Sequence, residues 1–314
     1  MLDSLLLSAR CVVPVLLLIA LGFLCRRIGW LRAEGTAQMD KVSFHVLLPT
    51  LLFQNIYTSD LRASFNGKMM LMALLLSLCT CGLSMLLSGV GKRDAPTRAA
   101  LAQGMFRNNC VLYGLPIITA LYGGTEAAGV FSMLLAMVIP LNNVLAVLIV
   151  TLLTSSQYDP KRLIKGIVTN PFVGSAVLGL CANLMGLVFP ASIDKVIGNV
   201  ASCATPIALM LLGASLMPGA VLKYRRDIAY GVGCKLLLWP LLFIPLMVAM
   251  GFRGIPLNAL YLSIGTPCAV SAYTMAKEMG ANGELAGHLV VFGAIGSILS
   301  IFLFLFAFSL LGLI

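Results

Sequence analysis

The sequence predicts an all-α polytopic membrane protein of ten transmembrane helices, organised as two inverted five-helix repeats. Three observations lead there: composition, the alternation of positive charge between connections, and a recurring pattern of Pro and Gly. The chain has 314 residues, of which 60% are apolar and only 10% charged. Soluble domains carry roughly 25% charged residues, so this chain cannot satisfy its surface in water. A membrane-crossing helix needs about 20 mostly apolar residues, and such stretches follow one another here almost end to end.

Ten spans are expected, at about residues 5–25, 37–57, 69–91, 98–122, 127–154, 167–189, 195–220, 228–250, 256–277 and 286–313. The first, Ser4–Cys25, is longer than a signal-peptide core and has no basic stretch before it. The second carries Asp40, Lys41 and His45 in its first half, and Val46–Ile56 supplies its apolar length. Connections are short. The most polar, Ser155–Lys165 and Lys92–Arg98, suit helix-bundle links rather than a second domain.

The net charge of +10 does not indicate a nucleic-acid partner, because the cations form small loop clusters without a basic stripe or aromatic platform. They set topology instead. One set of connections holds Arg26, Arg27, Arg32, Lys92, Arg93, Arg98, Lys161, Arg162, Lys165, Lys223, Arg225, Arg226 and Lys277, thirteen in all. The alternate set holds Arg62, Lys68, Lys195 and Arg253. This asymmetry expects a cell (inner) membrane protein with both termini on the outer, periplasmic or extracellular, side. The nine cysteines are scattered, and His45 and His288 stand far apart, so neither a metal nor another cofactor is expected. The cysteines read as small apolar packing residues.

An offset of 157 pairs Pro14 with Pro171, Gly22 with Gly179, Gly29 with Gly186, Pro49 with Pro206 and Gly123 with Gly280. At 158, Glu126 meets Glu284 and Gly129 meets Gly287. The expected organisation is a first repeat at 1–156, a cytoplasmic connecting loop at 157–166, and a second repeat at 167–314. Five spans per repeat is an odd number, so the halves must be inverted, a plan that places a transporter's site at the midplane where broken helices meet.

The fourth span reads Asn108-Asn109-Cys110-Val111-Leu112-Tyr113-Gly114-Leu115-Pro116, and Gly114 and Pro116 are expected to break it. The ninth carries Gly265-Thr266-Pro267, with Ser271 and Tyr273 beyond. Unwound backbone at membrane depth is tolerated only where protein or a wet cavity covers it. Each break also exposes a half-helix N-terminus that favours an anion. The candidate substrate residues are therefore Asn108, Asn109, Tyr113, Gly114, Pro116, Thr266, Pro267, Ser271 and Tyr273, with Asn142 and Asn143 of the fifth span as a third polar patch. Any one Asn can instead be packing glue between helices. Pro49, Pro140, Pro206, Pro240 and Pro245 are expected to kink their helices. Arg107 has two readings: a charge for the cavity, or one facing interfacial water.

On these residues the chain resembles the auxin efflux carrier family, within the larger group that includes the bile-acid:sodium symporters. The resemblance spans essentially the whole chain. Its marks are Asn109-Cys-Val-Leu-Tyr-Gly-Leu-Pro116, similar to the family's Asn-Thr-Leu-Val-Met-Gly-Ile-Pro, then Ala276-Lys277-Glu278, and Asn170-Pro171. It implies ten helices with crossed fourth and ninth spans, Asn109 near a substrate carboxylate, and Pro116 as the first crossover proline. Two positions depart from the plant pattern: Ala272 stands where a proline is expected, and Phe172 replaces the second Asn of Asn-Pro-Asn. The resemblance implies transport of a mono- or dicarboxylate such as malate or malonate, or an auxin-like acid.

The expected function is a secondary transporter of a small organic anion by alternating access, with no enzymatic step; lipid is its environment and a homodimer is left open. The coupling is open between uniport and an ion. The third span has no ionisable residue between Met69 and Ser88, leaving Asp40 as the nearest proton-relay candidate. Membrane potential alone supplies about 2.3 kcal/mol per charge per 100 mV. The alternatives are an ion-coupled symporter of bile-acid type, a channel, and a transporter-like sensor without flux. An enzyme is disfavoured, for no His/Asp/Glu cluster or phosphate-binding glycine loop is present.

Overall fold

The computed structural model describes residues 2–58, 66–122, 125–154, 169–216 and 220–313. The expected loop at 157–166 lies outside the described residues, as do Arg62, Gly123, Lys161, Arg162 and Lys165. The protein is all-α, with no strand among the described residues. In chain order the helices are α1 (Leu2–Ile28), α2 (Ala33–Val42), α3 (Leu48–Tyr57), α4 (Gly67–Ser88), α5 (Ala95–Phe106), α6 (Leu115–Tyr122) and α7 (Thr125–Thr154). They continue as α8 (Pro171–Leu184), α9 (Ala191–Ser215), α10 (Ala220–Gly233), α11 (Trp239–Ala249), α12 (Gly254–Gly265), α13 (Ser271–Glu278) and α14 (Gly283–Leu310).

Among the described residues, five stretches are each long and apolar enough to cross a membrane: Gly67–Ser88, Glu126–Thr154, Ala191–Ser215, Val221–Ala249 and Gly283–Leu310. Large apolar side chains such as Leu17, Leu71, Leu86, Val188 and Leu241 project outward. That surface suits hydrocarbon and would be unfavourable in water. The protein is a polytopic membrane protein. The expected fourth and ninth spans each fall on two short helices separated by non-helical backbone, while the second and eighth each fall on two helices joined through a π turn.

Those π turns have a common cause. Ser43–Leu47, Cys110–Gly114 and Cys234–Leu238 are each followed by a helix whose second residue is proline: Pro49, Pro116 and Pro240. A proline ring clashes with the carbonyl four residues earlier and offers it no N–H. Those carbonyls belong to His45, Leu112 and Leu236, all inside the widened turn, where the looser π geometry accommodates the ring. Gly114 and Pro116 therefore do not break the fourth span; the interruption lies upstream, at Arg107–Asn109. Pro14, Pro140, Pro206 and Pro245 sit inside continuous helices.

The helices pack as two groups with the cavity between them. One comprises α1, α2, α3, α8 and α9; the other comprises α4 to α7 and α10 to α14, with α1 also lying against α14. The α1–α9 crossing brings backbone against backbone. A Cβ on Gly22 would lie 1.9 Å from the Met210 carbonyl oxygen, and one on Gly213 would lie 1.9 Å from the Ile19 carbonyl oxygen. Small residues at such crossings let membrane helices gain dispersion contacts that lipid cannot replace. Asp40 of α2, fully buried, is ion-paired with Lys277 of α13 and so ties the two groups together. Within the second group, Arg93 pairs with Asp227 at 2.6 Å, and the Asn282 amide donates to Thr97 and Tyr224 hydroxyls.

Gly213→Leu must therefore separate α1 from α9. It is expected to cost at least about 1–3 kcal/mol by overpacking, read as a lowered Tm in detergent. Gly82→Leu, where a Cβ meets nothing within 4 Å, serves as the control and should leave Tm near the wild-type value.

Candidate functional site

Interrupting a helix in the protein interior frees backbone groups that hydrocarbon cannot satisfy. Here the two interruptions satisfy each other. α5 ends at Phe106, and Arg107 and Asn109 take non-helical conformations, with φ, ψ of −67°, 142° and −102°, 60°. α12 ends at Gly265, and Thr266 is extended at −71°, 153°. The Asn109 N–H donates to the Pro267 carbonyl at 2.9 Å, joining the two breaks backbone to backbone. The Cys110 thiol lies 3.7 Å from both the Leu262 carbonyl oxygen and the Thr266 hydroxyl.

Two of the carbonyls freed at the end of α5, those of Met105 and Phe106, are met by side chains. Met105 accepts from the Trp239 indole N–H at 2.8 Å, and Phe106 accepts from the Asn108 amide at 2.9 Å. The Lys235 ammonium donates to the Ile264 carbonyl at 3.0 Å and to the Asn108 side-chain oxygen, with the Phe106 carbonyl 3.5 Å away. Lys235 is only 2% exposed.

On the other side of the breaks lies a cavity of about 700 Å³, a size typical of small-molecule sites. The second halves of both interrupted spans start at its wall, at Val111 and Leu112 and at Ala269 to Ser271. Opposite them stand Pro14 and Leu18 of α1, Leu51 and Asn55 of α3, Phe172 of α8, and Ser202, Thr205 and Pro206 of α9. α7 contributes Asn142 and Asn143. Among the described residues that line it there is no Asp or Glu, and Arg107 is the sole Lys or Arg. Its guanidinium donates to the Asn143 side-chain oxygen at 2.7 Å and the Ser271 hydroxyl at 2.8 Å, and meets the Met275 sulfur at 2.6 Å. It faces protein and cavity rather than interfacial water, being 4% exposed.

Of the residues singled out from the sequence, Asn108, Asn109, Pro116, Asn142, Asn143 and Ser271 line this cavity. Tyr113, Gly114, Thr266, Pro267 and Tyr273 do not. Tyr113 belongs to the main apolar core. Gly114 packs against Phe131, whose Cζ would lie 2.5 Å from an added Cβ. Thr266 is fully buried beside Cys110, and Pro267 offers its carbonyl to Asn109. Tyr273 sits on α13 away from the cavity, its hydroxyl 3.4 Å from the Lys277 ammonium. Sequence reasoning missed Asn55, Ser202 and Thr205, and above all Lys235. A lone lysine within an apolar span was the available signal for it.

Replacing Trp239 by Phe keeps the packing and deletes one donor. The helix cannot repair the loss, because the Asn109 N–H that would reach Met105 is engaged by Pro267. A buried carbonyl left unpaired costs about 1–3 kcal/mol, so Trp239→Phe should lower Tm, while Trp30→Phe, at an exposed position, should not.

The sequence matches the profile of a family described as membrane transport protein, over residues 8–162 and 159–305. It is 25% identical over 305 residues to an uncharacterized transporter of Methanothermobacter thermautotrophicus, covering 94% of this chain and 96% of that one. It is 23% identical over 133 residues to a Rhizobium meliloti protein whose name proposes malonate transport, covering 42% of each chain. With the profile matched along nearly its whole length, the chain belongs to the membrane transport protein family, that of the auxin efflux carriers its sequence resembles.

Proposed function

We propose that this chain is a secondary carrier for a small organic carboxylate, bound in the cavity at the crossed breaks and released to alternate sides as one helix group moves against the other. The observation that carries the reading is the charge of the lining: one buried arginine, Arg107, and no acidic side chain among the described lining residues. A cation held in an apolar environment is strongly stabilised by an anionic partner and has none in the protein's own wall. The two half-helix starts at Cys110 and Ser271 add the positive ends of their dipoles to the same wall. Asn109, Asn142 and Asn143 supply directional hydrogen bonds.

The rest of the lining, including Leu18, Leu51, Val138, Ile139 and Phe172, is apolar. It accommodates the carbon skeleton of an organic acid and disfavours a hydrated inorganic ion. Malonate and malate are the first candidates, supported by the name of the Rhizobium relative. Their second carboxylate would find Asn55, Ser202 and Thr205 as neutral polar partners. The ion pair of Asp40 with Lys277 crosses between the helix groups and must rearrange if they slide. By the charge rule both termini lie on the outer side.

The test is uptake of labelled malonate, malate and indole-3-acetate by proteoliposomes, with and without an imposed potential or pH gradient. Saturable flux of one anion is expected. Arg107→Gln should reduce it by about tenfold or more at low substrate, since a hydrogen bond to a charged partner is worth about 1.5–3 kcal/mol. Asn109→Ala should reduce it less, because the backbone N–H to Pro267 survives. Linear, non-saturating ion current would instead identify a channel. Binding without flux would identify a sensor.

A further inference from the structure

The Lys235 ammonium has an unusual set of partners for a buried cation. None of the described Asp or Glu side chains pairs with it; the ion pairs among described residues are Arg93 with Asp227 and Lys277 with Asp40. Its hydrogen-bond partners are three uncharged oxygens, the Ile264 carbonyl at 3.0 Å, the Phe106 carbonyl at 3.5 Å and the Asn108 side-chain oxygen, with the Cys110 and Cys268 thiols also within electrostatic reach. Ile264 and Phe106 lie at the C-terminal ends of α12 and α5. The negative ends of two half-helix dipoles therefore converge on one point, and a positive charge there is favoured by both.

A cluster of carbonyl-type oxygens from two half-helix ends is also the chemistry by which proteins hold a dehydrated alkali-metal ion. Lys235 fills that position with a covalently attached cation. The side chain arrives from the π turn Cys234–Leu238, which precedes Pro240. Asn108 connects it to substrate, since Asn108 both accepts from Lys235 and lines the cavity.

We propose that Lys235 is a resident cation that replaces a bound alkali-metal ion at the crossing of the two breaks. It is a positioning residue, acting on the cavity through Asn108 and the two helix ends. Two consequences follow. The intact protein needs no sodium, lithium or potassium for stability or flux. Truncating Lys235 exposes an oxygen-lined vacancy that a small monovalent metal ion can fill.

This inference extends the carrier reading but has a readout that does not depend on it. Purified full-length wild type, Lys235→Ala and Lys235→Met would be compared in NaCl, LiCl, KCl and choline chloride at equal ionic strength, measuring Tm and anion flux. Wild type is expected to show the same Tm in all four salts and flux within twofold. Lys235→Ala should be destabilised in choline chloride, regain Tm with saturable dependence on Na⁺ or Li⁺, and regain flux at least tenfold in the same salts. Lys235→Met, which fills the space without charge, should be destabilised equally in every salt. A wild type that requires Na⁺ overturns the proposal. So does a Lys235→Met variant with wild-type Tm, or a Lys235→Ala variant insensitive to the metal ion. If Lys235→Ala yields no folded protein in any salt, a destabilised Lys235→Met and metal-independent wild type support the proposal, and the reverse pair overturns it. If wild type carries none of the tested anions, the substrate reading fails, while the Tm comparison still decides the role of Lys235.

Discussion

Everything at the centre of this protein depends on pairing backbone groups that interrupted helices leave free in an apolar interior. A single broken helix there would strand donors and acceptors that neither lipid nor packed side chains can satisfy. Two breaks placed against each other solve the problem jointly. The Asn109 N–H finds the Pro267 carbonyl, and the Met105, Phe106 and Ile264 carbonyls draw in Trp239, Asn108 and Lys235. The crossing is thus held by groups from three separate spans, and none of them can be removed without exposing another.

The arrangement also sorts charge. Carbonyl ends gather around Lys235, and the starts of the second halves, at Cys110 and Ser271, line the cavity with Arg107. Both cations are buried, yet they face opposite environments. Lys235 is enclosed by oxygens the protein supplies. Arg107 has Asn143, Ser271 and Met275 as partners and borders the cavity.

Prolines play a role different from simple disruption. Pro49, Pro116 and Pro240 follow π turns that absorb the missing N–H without ending the helix, and one of those turns carries the buried Lys235. The close α1–α9 contact through Gly22 and Gly213 holds one helix group as a unit, and the cavity opens along its contact with the other. Phe172, where plant carriers are expected to carry a second Asn, presents an aromatic ring to the cavity and packs on Phe44.

The sequence by itself determined the class. Sixty per cent apolar residues with few charges leave no soluble alternative, and apolar run length fixes where helices lie, because the bilayer imposes both requirements locally. It also located the ninth-span interruption, at Gly265-Thr266-Pro267, but in the fourth span Gly114 and Pro116 pointed past the break at Arg107–Asn109, because a π turn absorbs the proline. Which residues face the cavity was decided only by tertiary structure. Asn108, Asn109, Asn142, Asn143 and Ser271 reach it and Tyr113, Thr266 and Tyr273 do not, although all are polar residues in or near the same spans. Side-chain direction depends on where neighbouring helices pack, and a π turn shifts the register of every residue after it. Arg107 and Lys235 show the same limit most clearly: the sequence marks each as a charge in an apolar span, but only the convergence of α5 and α12 assigns one to the cavity and the other to the crossing.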